Sequence, residues 1–182
     1  MERLREVLAF VNHKGGVGKT TTVQNLATGL CLFGKGHFGN DAQGKQRAPR
    51  VLVIDLDPQS CASFLFGWSE TQQSGKPNLY DALVQQGQLP VYKVRDNIYL
   101  APSSSKLIGI EPFLNQMAVP RKALCKLLAK PLAEMQGTDL ADEGVTDVAE
   151  AFDYVLIDCP PAMSLLTYNA LTAATSVVLP VQ

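Results

Sequence analysis

Lys14, Lys19 and Thr20 stand around three glycines in the run K-G-G-V-G-K-T-T, residues 14–21. Glycines let consecutive backbone N–H groups turn toward one anion, and a helix starting where such a loop ends adds its positive end. In that arrangement Lys19 meets the β and γ phosphates of a nucleotide and the Thr20 hydroxyl ligates Mg²⁺. The run holds a candidate cradle of Gly15, Gly16, Val17, Gly18, Lys19, Thr20 and Thr21, with Lys14 just before it. Its spacing departs from G-x-x-x-x-G-K-[ST], because the first glycine would fall where His13 stands. It also contains one lysine, Lys14, beyond what a phosphate loop requires. His13 reads as a solvated or locally bonded side chain, since the only other histidine, His37, is not at metal-ligand spacing from it.

Carboxylates supply the second half of the chemistry. "VLVIDLDPQS" places Asp55 and Asp57 at the C-terminal end of an apolar run, where open parallel sheets gather their ligands. Packing explains such a pair poorly, because uncompensated buried carboxylates are costly; they call for a cation or water. The plainer alternative is that one of them caps the following helix. "FDYVLID" ends a further apolar run with Asp158, an acid after four hydrophobes that would hold Mg²⁺ through water beside Thr20.

The elements that must hold these groups alternate. Five runs, 7–11, 51–57, 97–102, 152–158 and 176–181, have the near-continuous apolar character of strands covered on both faces. Helical segments follow the first four, at 20–33, around 78–86, over 120–135 and over 164–174. That order predicts an α/β fold, a mainly parallel sheet flanked by helices in three layers. Residues 34–50 and 136–150 read as inserted loops within one domain spanning 1–182. Lys45, Arg47 and Arg50 form a small basic group in the first loop, read as solvated.

Composition narrows the class. The chain has 182 residues, 46% of them hydrophobic, and a formal net charge of −1, so it carries no overall basic field for nucleic acid. Cys31, Cys61, Cys125 and Cys159 lie far apart without a CxxC pair, which predicts reduced thiols in a cytosolic setting. The N-terminus lacks the features of a signal peptide, and no apolar run reaches the roughly 18 residues of a membrane span.

"KGGVGKTTT" resembles the deviant phosphate loop of the ParA/MinD class of P-loop ATPases, and "DLDPQ" resembles that family's second motif. "DCPPAMSLLTYNALTAATSVVLPVQ" is similar to the ParA/Soj subgroup almost throughout. The resemblance implies a P-loop NTPase-like fold, ATP and Mg²⁺ as cofactors, and a homodimer in the ATP state. It implies that Lys14 reaches the partner's phosphates in trans, that Asp57 positions the attacking water, and that Asp55 lies near the metal shell with Thr20 and Asp158. Lys14, Lys19 and Asp57 are then the catalytic candidates. Ser103 to Ser105 match the region that senses the γ-phosphate, although a flexible serine-rich turn explains them equally well. Cys159 is expected to be a small buried residue beside the site.

By the same resemblance, the function is ATP hydrolysis that drives plasmid or chromosome partition in the cytoplasm, on the nucleoid, with a ParB-type partner and no membrane. Family members continue well beyond the P-V-Q segment, so the C-terminal part of the fold, with its nonspecific DNA surface, is expected to be missing after the fifth strand. A non-hydrolysing nucleotide-binding or interaction module is the alternative from another class, and a MinD-like positioning ATPase the alternative within this one. Related iron–sulfur carriers would need cysteines in a ligand arrangement that is not found here.

Overall fold

The computed structural model describes residues 6–34, 46–69, 71, 73–130 and 148–182. Its centre is a six-stranded sheet in the order β3-β4-β2-β5-β1-β6. The strands are β1 (Glu6–Phe10), β2 (Val51–Asp55), β3 (Tyr92–Arg95), β4 (Ile98–Ala101), β5 (Tyr154–Asp158) and β6 (Ser176–Val178). All neighbours pair in parallel except β3, which runs antiparallel to β4 at one edge. The fold is therefore the expected α/β arrangement, with five of its six strands where the apolar runs lie.

Helices α1 (Lys19–Phe33) and α2 (Cys61–Leu65) cover one face of the sheet. Phe10, Val51, Val53, Leu100 and Leu156 pack there against Val23, Ala27 and Ala62. The other face carries α3 (Leu79–Gln85), α4 (Glu111–Asn115), α5 (Ala123–Leu128), α6 (Val148–Ala151) and α7 (Leu165–Ala173). Val7, Ala9, Leu52, Ile54, Val155 and Ile157 pack against them. Alternate residues of β1, β2 and β5 thus enter opposite cores, which is why these strands read as unbroken apolar runs and not as alternating ones. β3 alternates instead: Tyr92 and Val94 are half-buried, while Lys93 and Arg95 are exposed. Its four residues are too few to signal a strand, and the sequence reading did not include it.

Local chemistry sets the element ends. Asn78 accepts from the backbone N–H groups of Tyr80 and Asp81, while Asp81 accepts from the Asn78 N–H, a reciprocal cap that starts α3. Ser164 accepts from the Thr167 N–H and starts α7 after Pro160 and Pro161. The helix expected over 120–135 is a 3₁₀ turn at Pro120–Lys122 followed by α5; residues 131–135 lie outside the described ones. So do 35–45 and 136–147, which contain His37, Lys45 and most of both expected insertions.

Arg47 corrects one expectation. It is not a solvated loop cation. Its guanidinium donates two hydrogen bonds of 2.7 Å to the Asp153 carboxylate, which also accepts from the Arg50 N–H at 2.8 Å. The Asp153 and Tyr154 N–H groups in turn donate to the Arg50 carbonyl. This forked pair fastens the segment entering β2 to the start of β5, and both partners are largely shielded from water.

Candidate functional site

At the C-terminal end of the sheet, β1 lies between β5 and β6, and β5 lies between β1 and β2. Register sets Phe10 beside Asp158 and Asp158 beside Asp55. The loop 11–18 leaves β1 above these carboxylates. Gly16 and Gly18 have φ of 73° and 87°, a conformation that a side chain would strain, so glycine is required at both places. Among the described residues, nothing beyond the chain neighbours lies within 4 Å of where a Cβ would stand on Gly15 or Gly16, so the space beside both glycines is open. α1 then begins with no side-chain cap on its first N–H groups. An uncapped helix start of this length, after an open glycine turn, is a site for an anion.

The two lysines of the loop differ in placement. Lys19 is buried, 7% exposed, and its Nζ reaches across the turn to the Lys14 carbonyl at 3.4 Å. Lys14 is exposed at the rim, as is His13. The Lys14 N–H donates to Asn12 Oδ1 at 2.9 Å, and Asn12 Nδ2 donates to the Pro180 carbonyl at 2.8 Å. Gln182 Nε2 donates to the Gly16 carbonyl at 3.1 Å. Asn12 and the P-V-Q segment therefore hold the loop from the side of β6. Sequence reasoning assigned neither this job, because their partners lie more than 160 residues away in the chain.

Thr20 donates from Oγ1 to Asp158 Oδ2 at 2.7 Å. Asp158 Oδ1 is buried and, among the described residues, has no hydrogen-bond partner. Burial is the main reason the Asp158 carboxyl is pushed up to about 6; nearby Asp57 adds to the rise, while the Thr20 hydrogen bond and Lys19 oppose it. An orphaned carboxylate oxygen next to a threonine hydroxyl is a donor set of hard oxygens, which suits Mg²⁺. The residues present therefore fit the ion that the resemblance implied.

Asp55 is fully buried and already engaged. Its Oδ1 accepts from the Asp57 N–H at 3.1 Å, and its Oδ2 accepts from the N–H and Oγ of Ser63, each at 2.7 Å. Three donors fill most of what one carboxylate can accept. The capping alternative is thus seen directly, since Ser63 lies in the first turn of α2. Desolvation, with the neighbouring Asp158 charge, raises the Asp55 carboxyl to about 7 against the pull of these hydrogen bonds.

Asp57 is 9% exposed and lies in the turn beyond β2, where its Oδ1 accepts from the Gln59 N–H at 2.9 Å. Its Oδ2 has no hydrogen bond among the described residues. Ser103 and Ser104 are fully buried, so the serine run after β4 is no flexible exposed turn; only Ser105 is exposed. Cys159 is buried beside the site, with its thiol raised mainly by burial. Lys19, Thr20, Asp55, Asp57 and Asp158 therefore converge at one sheet end, and Lys14 stands at its rim.

Comparison with known proteins bears on the family and the fold. Residues 5–182 match a family model described as an AAA domain, AAA_31. The chromosome partitioning protein ParA of Caulobacter vibrioides is 36% identical over 97% of this chain and 55% of its own length. The sporulation initiation inhibitor protein Soj of Bacillus subtilis is 34% identical over 97% of this chain and 58% of its own. This chain thus spans little more than half the length of these relatives. The solved cobyrinic acid a,c-diamide synthase of Mycobacterium smegmatis, with bound ATP analogue and magnesium, superimposes with a TM-score of 0.73 at 30% identity, over 98% of this chain and 60% of that one.

Proposed function

The chain belongs to the ParA/MinD-type family of P-loop ATPases, and from that premise we propose that it is one ATPase domain that binds Mg-ATP, pairs with a second copy in the ATP state and hydrolyses the nucleotide. The observation that carries this reading is the unpartnered Asp158 Oδ1 beside the Thr20 hydroxyl, beneath the open glycine turn. A buried acceptor left without a partner costs about 1–3 kcal/mol, a cost that a ligand completing the site would relieve.

Each residue has a task that its placement suits. The N–H groups of Gly15 to Thr20 and the buried amine of Lys19 hold the β and γ phosphates. Thr20 and Asp158 hold Mg²⁺, and Asp55 adds negative charge alongside while keeping Asp57 in place. When bound, the ion neutralises charge on the transferring phosphoryl group. Asp57 Oδ2 orients the attacking water and accepts its proton, with Oδ1 fixed by the Gln59 N–H. Lys14, exposed at the rim, supplies the partner site with a cation only once two copies meet, which couples assembly to hydrolysis. The 36% identity to a chromosome partitioning protein ParA supports a role in plasmid or chromosome partition, in the cytoplasm, with a ParB-type partner and nonspecific DNA.

Single-turnover hydrolysis of Mg-ATP by wild type, Asp57→Ala and Lys14→Ala tests this, with sedimentation of each in a nonhydrolysable analogue. Asp57→Ala should bind nucleotide and turn it over at least roughly 100-fold more slowly, while Lys14→Ala should lose ATP-dependent dimerisation, hydrolysis or both. Unchanged turnover in Asp57→Ala removes that residue from its role.

A further inference from the structure

Asp57 is held from both sides, by Asp55 and by two serines that have no part in the proposed phosphate chemistry. On its N-terminal side, its N–H donates to Asp55 Oδ1 at 3.1 Å. On the other, its carbonyl accepts from Ser103 Oγ at 2.6 Å and from the Ser60 N–H at 2.8 Å. Ser103 also donates its N–H to Ser63 Oγ at 3.0 Å, and Ser63 Oγ in turn donates to Asp55 Oδ2 at 2.7 Å. Asp55, Ser63 and Ser103 are each fully buried, so water does not compete for these bonds.

The topology explains how distant residues meet. β4 pairs with β2 so that Ala101 lies beside Ile54, which brings the segment leaving β4 alongside the segment leaving β2. Ser103 therefore joins two loops at the sheet end. One carries Asp57; the other runs through Ser104, whose Oγ accepts from the Lys106 N–H, into the 3₁₀ turn Ser105–Gly109.

We propose that Ser103, acting with Ser63, is a positioning residue for hydrolysis: it pins the peptide unit of Asp57 so that the carboxylate faces the attacking water, and it ties that aim to the loop after β4. Ser103 has no part in gripping the nucleotide. Its loss should therefore slow turnover and leave nucleotide binding in place. The inference rests on the assignment of Asp57 to the water, and it can fail while that assignment stands.

The test compares the full chain as wild type, Asp57→Ala, Ser103→Ala, Ser103→Thr and Ser63→Ala, measuring kcat for Mg-ATP and the Kd of a nonhydrolysable analogue. Ser103→Ala should lower kcat roughly 10- to 100-fold, as a misaimed group does, with Kd within about threefold of wild type. Ser103→Thr, which keeps the hydroxyl, should recover most of the rate. Ser63→Ala should follow Ser103→Ala in direction. Hydrogen exchange gives a reading independent of turnover: the amides of Leu56, Asp57, Gln59 and Ser60 should exchange faster in Ser103→Ala while those of 15–21 do not change. Wild-type kcat in Ser103→Ala, a Kd that weakens in proportion to kcat, or unaltered exchange at Leu56, Asp57, Gln59 and Ser60 overturns the proposal. If Asp57→Ala instead turns over like wild type, the water assignment itself falls and the role of Ser103 falls with it.

Discussion

Two buried aspartates bracket the strand β5, Asp153 just before it and Asp158 as its last residue, and the two are treated in opposite ways. Asp153, at the start, is met by the forked Arg47 guanidinium and the Arg50 N–H. Asp158, at the finish, has one oxygen on Thr20 and the other on nothing among the described residues. Both are shielded from water, so solvation does not separate them. What separates them is completion: one end of the sheet is closed by the chain's own charges, while at the other an acceptor is left unmatched. The proposed function puts the chemistry at that second end, where buried carboxylates at Asp55 and Asp158 face each other across the register.

The largest way to break this contrast is at the closed end. Arg47→Ala strands a buried charge, and about 3–5 kcal/mol of folding stability should go with it. Nucleotide affinity, measured by titration at a temperature where the variant is still folded, should be unchanged. Equal losses of stability and affinity would mean that the two ends are not separate. At the open end the sign reverses. Asp158→Asn removes a buried charge while keeping an acceptor for Thr20, so the nucleotide-free protein should gain about 1–3 kcal/mol in denaturant unfolding while Mg-ATP binding weakens.

The smallest effect is in pH. Asp55 and Asp158 have folded values of about 7 and about 6, above the ordinary 3.8. Each is thus easier to protonate in the fold than out of it. The stability this contributes is complete below about pH 4 and is lost as the pH rises through 6 and 7. Melting of the nucleotide-free protein should therefore fall over that window, by about 2–4 °C for each kcal/mol lost. The fall should be shallower in Asp158→Asn and in wild type with Mg-ATP. A slope identical in all three would detach these carboxylates from the effect.

Legibility in the sequence followed distance along the chain. The glycine loop, Lys19 with Thr20, the D-x-D pair and Asp158 are local patterns, each at the end of a long apolar run, and the structure brings them together as expected. β3, α2 and α4 have four or five residues each, too short for a period to emerge. Arg47 looked solvated because its partner is 106 residues away. The three hydrogen bonds that hold Asp55 were not legible because their donors come from Asp57 and from Ser63, a residue whose hydroxyl carries no motif. Ser103 meets Asp57 only because β4 lies beside β2, and strand order is a property of the folded sheet.

Calorimetric titration of Mg²⁺ with a nonhydrolysable ATP analogue into wild type and Lys19→Ala tests the open end most directly. The expected result is saturable one-site binding in wild type and its loss in a variant that melts as wild type does. Indistinguishable titrations of two folded proteins would contradict the assignment of the glycine turn, Lys19, Thr20 and Asp158 to a triphosphate and its metal.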